Sequence, residues 1–216
     1  MSRVVAGEYN RIMPSVTEVL DYLTPPELVN WMERTSKAKR KAIQDEALAI
    51  GTEVDRLVQM DIKGEDVGPL TEGSAVWNCF QGWLQFRKDH PDIVSGIVIE
   101  NMQRELIKGE ITGHPDLPVI QKDRVGIIDL KCSARIYPKY WTQAAKYLDM
   151  YELARFKRFI GVLRLEKKEP RYEYIEITSD EYICEEIANF DAYYRCYRHA
   201  YDNREVLRQI YEELKL

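Results

Sequence analysis

The chain has 216 residues, of which 45% are hydrophobic and 31% charged, with a formal net charge of −5. That length sets a single domain, 1–216, as the expectation, with enough chain for a sizeable core. It shows neither an apolar run of membrane-spanning length nor a signal-peptide pattern, so a soluble cytoplasmic protein with no membrane partner is expected.

The acidic total weighs weakly against a nucleic-acid partner, although the positive charge is locally concentrated. The four cysteines, Cys79, Cys132, Cys184 and Cys196, are far apart with no C-x-x-C. Closely spaced ligands are the usual sign of a zinc site or an iron–sulfur cluster. Neither is expected, and the cysteines read as free thiols in a reducing compartment.

Residues 1–92 read as a helical N-terminal part. Thr24-Pro25-Pro26-Glu27 has a capping Thr, Pro at the first helical position and Glu three on. Leu28, Trp31 and Met32 supply the expected buried stripe of that helix. Arg34, Lys37, Lys39, Arg40 and Lys41 follow as a basic cluster, open to two readings: phosphate contact or a solvated face. Residues 74–88 read as a helix with Val76, Phe80, Trp83 and Phe86 as its apolar positions and Gly82 as its weak point.

Residues 93–178 read as a sheet with one helix inserted. Strands are expected near 96–107, 111–117, 124–132, 159–166 and 171–177, so the class is α/β with a central mixed sheet of about five strands. Glu100 falls on the first of these, where a solvent-facing strand residue is its plain reading. Residues 125–132 form a short apolar run broken by Asp129 and Lys131. Residues two apart on a strand share a face, so these two charges project side by side from a mostly buried element. Buried charge is costly unless paired or bound to metal. A satisfied ion pair at a strand end is the plainer alternative.

Gly113-His114-Pro115-Asp116 precedes this strand, and Gln121-Lys122-Asp123-Arg124 is short and polar as a hairpin turn would be. If the segments pair, Asp116 and Asp129 reach neighbouring positions. Two converging carboxylates repel, and a hard divalent cation such as Mg²⁺ or Mn²⁺ resolves the repulsion. A turn-capping aspartate is the alternative for Asp116. His114 reads as a turn residue or a support for Asp116.

Residues 141–154 read as a helix with Gln143, Tyr147 and Tyr151 at four-residue steps. An apolar core stripe explains Tyr147 equally well, whereas an amide at Gln143 needs a partner. Arg155, Lys157 and Arg158 follow as a second basic group, near the motif in sequence. Glu166 to Pro170 make a charged hairpin between the last two strands. Thr178-x-x-Glu181 reads as a capping box opening the helical part 179–216, with a break near Asp202 and Asn203.

Taken in order, Gly-x-x-Asp, Asp-x-Lys and Gln-x-x-x-Tyr resemble the PD-(D/E)XK nuclease superfamily. More narrowly they resemble its RecB-type exonuclease branch, which includes phage, CRISPR-associated and mitochondrial genome maintenance exonucleases. The resemblance runs from about residue 14 to 154, with Pro14 to Leu20 and Gly51-Thr52-Glu53-Val54-Asp55 as its earlier pieces. It implies a restriction-endonuclease-like core and a Mg²⁺- or Mn²⁺-dependent nuclease. Asp116 and Asp129 would then ligate metal, with the Leu130 carbonyl completing the inner shell. Lys131 would hold the attacking water and stabilise phosphate charge. Gln143 and Tyr147 would orient Lys131 or contact the DNA backbone, Arg155 and Lys157 would bind DNA, and His114 would touch DNA or support Asp116. Asp55 stands where the branch usually has His, and an Asp there also suits a hard cation. Glu100 stands where the family often has Glu.

The function expected on these grounds is an exonuclease acting on DNA ends in replication, recombination or repair. It implies DNA with a free end as partner, a recombination or replication partner protein, and a bacterial host cell for a phage-encoded chain. A structure-selective endonuclease, a non-catalytic DNA-binding protein that kept the fold and an unrelated structural protein are the alternatives.

Overall fold

The computed structural model describes residues 3–5, 11–22, 26–102, 104–151 and 156–214. Strands β1 (Arg3–Val5) and β2 (Arg11–Met13) form an antiparallel pair. Helix α1 (Val16–Tyr22) opens on a reciprocal capping box: the Glu18 N–H donates to Ser15 Oγ at 3.1 Å, and the Ser15 N–H to Glu18 Oε2 at 3.0 Å. Helix α2 spans Pro26–Arg34; Thr24 and Pro25, the expected start, lie outside the described residues. Its expected buried stripe is not buried: Leu28 and Met32 are exposed and Trp31 is half-buried. Periodicity gives a face, and among the described residues no element packs onto it deeply enough to cover it.

Helix α3 (Lys37–Ile62) buries only Val54, Leu57 and Val58, all in its second half. Helix α4 (Ala75–Asp89) is capped by Ser74, whose side chain accepts from the Trp77 N–H. Gly82 inside α4 has a packing reason: a Cβ there would lie 2.7 Å from the Arg171 carbonyl oxygen, in the turn after β7. Helix α5 (Pro91–Val94) is a single turn.

The strand expected over 96–107 does not form. Ile97 makes one isolated bridge to Val119, residues Ile99–Asn101 curl into a 3₁₀ turn, and β3 (Leu106–Lys108) begins late. The reason is Pro118 on the adjoining strand. Its carbonyl accepts from the Val98 N–H, but it has no N–H to return and the ladder stops there. The 111–117 segment is split as well. Strand β4 (Ile111–Gly113) pairs with β3, and β5 (Leu117–Ile120) starts beyond Pro115.

The main sheet therefore has four strands in the order β5-β6-β7-β8, with β6 at Arg124–Lys131, β7 at Lys157–Leu165 and β8 at Tyr172–Ile177. β5 is antiparallel to β6, β6 parallel to β7, and β7 antiparallel to β8, so the sheet is mixed. Helix α6 (Pro138–Met150) makes the parallel crossover and starts earlier than its apolar stripe suggests, because Pro138 opens it. Helix α7 runs unbroken over Asp180–Leu214, through the expected break at Asp202, and Ser179 rather than Thr178 caps it.

Helices cover both faces of the sheet. On one side Trp83, Phe86, Leu57 and Ile128 belong to one core; on the other Val19, Ile127, Ala144 and Phe190 belong to a second. Strand β6 is buried on both faces, as a central parallel strand must be. Among the described residues no helix is long and apolar enough to cross a membrane.

Candidate active site at the end of strand β6

The β5–β6 register pairs Leu117 with Ile128. Continued one residue, it sets Asp116 opposite Asp129. Asp116 lies at the Pro115 break and is anchored by the backbone: the Leu130 N–H donates to its Oδ2 at 2.8 Å. Asp129 shares its strand face with Val125 and Ile127 and is 0% exposed. Lys131 Nζ donates to Asp129 Oδ1 at 2.7 Å, and its ammonium lies 5.1 Å from the centre of the Tyr140 ring.

The other Asp129 oxygen, Oδ2, is buried with no hydrogen-bond partner. Burial pushes this carboxyl up to about 7, against the pull of Lys131 and with a further push from Asp116. Burial works the other way on Lys131, yet the charges of Asp129 and Asp116 outweigh it and hold the ammonium above its ordinary range.

Asp116 and Lys131 open onto a cleft of about 380 Å³, whereas Asp129 is buried and does not line it. Asp116, Leu130, Lys131 and Tyr140 line one wall; Ala47, Leu48, Gly51, Thr52 and Asp55 on α3 line the other. Asp55 is half-buried, and its Oδ2 accepts from Gln59 Nε2 at 2.8 Å. Two carboxylates from distant parts of the chain, Asp55 and Asp116, thus line one cleft with Lys131, the partner of the buried Asp129. No group of three His, Cys, Asp or Glu among the described residues is close enough to make a ready metal cage. Mg²⁺ does not require one, because it is commonly held by one or two carboxylates plus waters.

Gln143 and Tyr147 lie beneath the site rather than in the cleft. Tyr147 is 4% exposed, and Gln143 Nε2 donates to its hydroxyl at 3.1 Å and to Thr17 Oγ1 at 3.3 Å. The Gln143 amide thus finds its partner, and the core reading of Tyr147 fits its burial. Gly113 is required by this ring: a Cβ there would lie 2.5 Å from Tyr147 Cε1.

Three expected contributors are not brought into the cleft wall. Glu100 is exposed on the 3₁₀ turn, not on a strand. His114 is exposed in the β4–β5 connection. Lys157 pairs in register with Arg124 while Lys131 pairs with Arg164, so it sits at the far end of β6, where Asp123 faces it at 3.7 Å. Proximity in sequence misleads there, because β7 runs parallel to β6 and enters from the opposite end. Arg155 lies outside the described residues.

Tyr140 and Thr17 enter the site without having been singled out. Tyr140 stands three residues before Gln143 and seven before Tyr147, so the same helical face leads to it. Thr17 falls within the Pro14 to Leu20 piece of the resemblance but has no helical-face signal of its own, and the packing of α1 on α6 brings it near.

No family model matches the chain, and no curated protein matches it. Among solved structures it is similar to the crystal structure of an alkaline exonuclease, LHK-Exo, from Laribacter hongkongensis. The two are 12% identical over 90% of this chain and 93% of that one, at a TM-score of 0.42. A second likeness, to the crystal structure of SSO0001, is 12% identical over 64% of this chain and 85% of that one, at a TM-score of 0.26. These overlaps are too loose to assign a family, and the site stands on its own residues.

Proposed function

We propose that the chain is a divalent-metal-dependent deoxyribonuclease of the PD-(D/E)XK type, hydrolysing phosphodiester bonds from DNA ends. The observation that carries this reading is the Asp129 carboxylate. It is wholly buried, one oxygen is held by Lys131, the other has no partner, and its neighbours Asp116 and Lys131 line an open cleft. A protein does not keep such an oxygen without cause.

The donor set fits a hard cation: carboxylate oxygens of Asp116 and Asp129, the Leu130 carbonyl, and Asp55 from the facing helix. A divalent cation held by these groups supplies water activation and screening of phosphoryl charge. The remaining roles belong to the chain. Lys131, kept charged by two carboxylates and supported by the Tyr140 ring, places a fixed positive charge where negative charge grows on the phosphate. The Leu130 N–H fixes the direction of Asp116. Gln143 and Tyr147 hold the floor under both strands, which makes them positioning residues. Replication, recombination or repair is the setting proposed for such an activity.

The test is hydrolysis of end-labelled linear DNA with Mg²⁺ by the parent chain and by Asp116→Ala, Asp129→Ala and Lys131→Ala. The reading requires each variant to lose at least about 10²-fold, the loss typical of removing one electrostatic contact. Equal rates for all four would show that this is not the active site. Covalently closed circular DNA should resist the parent; its cleavage would replace exonuclease by endonuclease.

A further inference from the structure

The first half of α3 is the least covered regular element in the molecule's described part. Residues 41–49 are all exposed, and of 37–40 only Arg40 is half-buried. Leu48 is 70% exposed and Ile43 42%. A helix this bare is maintained by its own propensity and its Ser36 cap, whose side chain accepts from the Lys39 N–H. It needs a reason to project.

Helical geometry supplies one. The residues of α3 that line the cleft are Ala47, Leu48, Gly51, Thr52 and Asp55, and Asp55 lies near the middle of that face. Counted at about 100° per residue, Lys37 returns to the same angle as Asp55, Gln44 and Leu48 lie within about 20° of it, and Lys41 within about 40°. Arg40 lies about 60° away on the other side. Lys39, Glu46 and Glu53 fall on the opposite face, at about 160–180°. Around Asp55 the exposed charge is therefore uneven: Lys37 and Lys41 continue the cleft face, Asp45 lies about 80° to one side of it, and Glu46 and Glu53 are turned from it.

We propose that this stripe is the track along which the DNA backbone leaves the cleft, with Lys37 and Lys41 as its phosphate contacts. The proposal rests on the nuclease reading and names where its substrate runs. At about 1.5 Å of rise per residue, Lys41 and Lys37 stand roughly 21 and 27 Å from Asp55 along the helix. At about 3.4 Å per stacked nucleotide, that is some six to eight nucleotides from the site of hydrolysis. Gln44 and Leu48 fill the interval. Of the basic cluster, Lys39 is excluded by its angle, although its neighbours in sequence are not.

Three variants carry the same charge change at different angles: Lys37→Glu, Lys41→Glu and Lys39→Glu. Their side chains are exposed, so all three should fold. For the full chain with Mg²⁺, KM is measured on a series of DNA lengths, and binding of labelled DNA is followed by anisotropy in EDTA across salt. The track requires Lys37→Glu and Lys41→Glu to raise KM about tenfold on long DNA, to spare kcat, and to flatten the salt slope by about one each. Both effects should vanish for DNA reaching fewer than about six nucleotides along the track. Lys39→Glu should stay close to the parent. Equal weakening by all three, or no weakening, overturns the track even if the parent cleaves DNA. If the parent never cleaves but binding still depends on the face, the track stands and the nuclease reading falls.

Discussion

Two Asp–Lys clusters built on a buried charge, Asp129 in one and Lys146 in the other, are finished differently. On the side of α6 toward α7, Lys146 is 7% exposed and donates to Asp149 Oδ2 at 3.0 Å and to Asp191 Oδ1 at 3.1 Å. Asp149 Oδ1 accepts from Lys108 Nζ at 2.9 Å, so both its oxygens are taken. Burial works against that carboxylate, but the hydrogen bonds from Lys108 and Lys146 hold it below the usual carboxylate range. At the end of β6 the sign reverses. Asp129 keeps one oxygen without a partner, and its carboxyl rises to about 7. Buried charge alone therefore does not mark a site; both regions have it. An incompletely satisfied charge whose partner lysine lines a cleft does.

The sharpest way to break this comparison is one conservative change in each region. Asp129→Asn should abolish hydrolysis of end-labelled DNA, by at least about 10²-fold. Without metal at pH 8 it should be no less stable than the parent, because it removes a carboxylate that the fold holds charged at a cost. Asp149→Asn should do the reverse: it should cost about 2 kcal/mol in chemical denaturation and leave the cleavage rate within a few-fold. A stability loss for Asp129→Asn at pH 8 larger than that of Asp149→Asn would equate the two regions and remove the distinction.

Metal and pH sharpen it further. The folded pKa of Asp129 lies above its unfolded value, so its contribution is fully present below pH 4 and is lost as pH rises through about 7. A cation bound there should restore what is lost. Mn²⁺ at about a hundredfold over its dissociation constant should stabilise the parent by about 2.7 kcal/mol at pH 8. The gain should shrink toward pH 5 and be absent in Asp129→Asn. For Asp149 the folded pKa lies below the unfolded value, so its contribution is present above about pH 4 and fades as pH falls further. The Asp149→Asn deficit should close in acid and be indifferent to Mn²⁺. Melting curves at both pH values read all of this.

The β6 region was legible because strand geometry is local. Period two puts Asp129 and Lys131 on one face, and the burial of that strand makes their charge conspicuous. The helical crossover, the β7–β8 hairpin and the mixed sheet followed from the same local patterns. What failed depended on partners. Pro118 ends the ladder that a strand at 96–107 needed, and nothing within that segment announces it. Leu28 and Met32 have the spacing of a buried stripe but, among the described residues, no element that buries it. Lys157 looks close to the motif because it follows the motif helix, while a parallel crossover sends it to the other end of the sheet. The α6–α7 network was not legible either, since Lys146 and Asp191 are 45 positions apart.

The smallest effect tests how the two regions share one helix. Lys146 and Tyr147 are consecutive on α6, so their side chains diverge by about 100°, one toward α7 and one beneath the site. Tyr147 is fixed by Gln143 and packed on Gly113, where a methyl would lie 2.5 Å from the ring. Gly113→Ala must therefore move either the β4 end or the Tyr147 ring, at about 1–3 kcal/mol. Because Asp116 follows three residues later, kcat should fall several-fold while KM holds. Gln143→Ala frees the ring from its hydroxyl partner, so Gly113→Ala in that background should be less destabilising than in the parent. A fully additive double variant would mean that the strain is absorbed in the β3–β4 pair, and that Tyr147 is core packing without a part in holding the site.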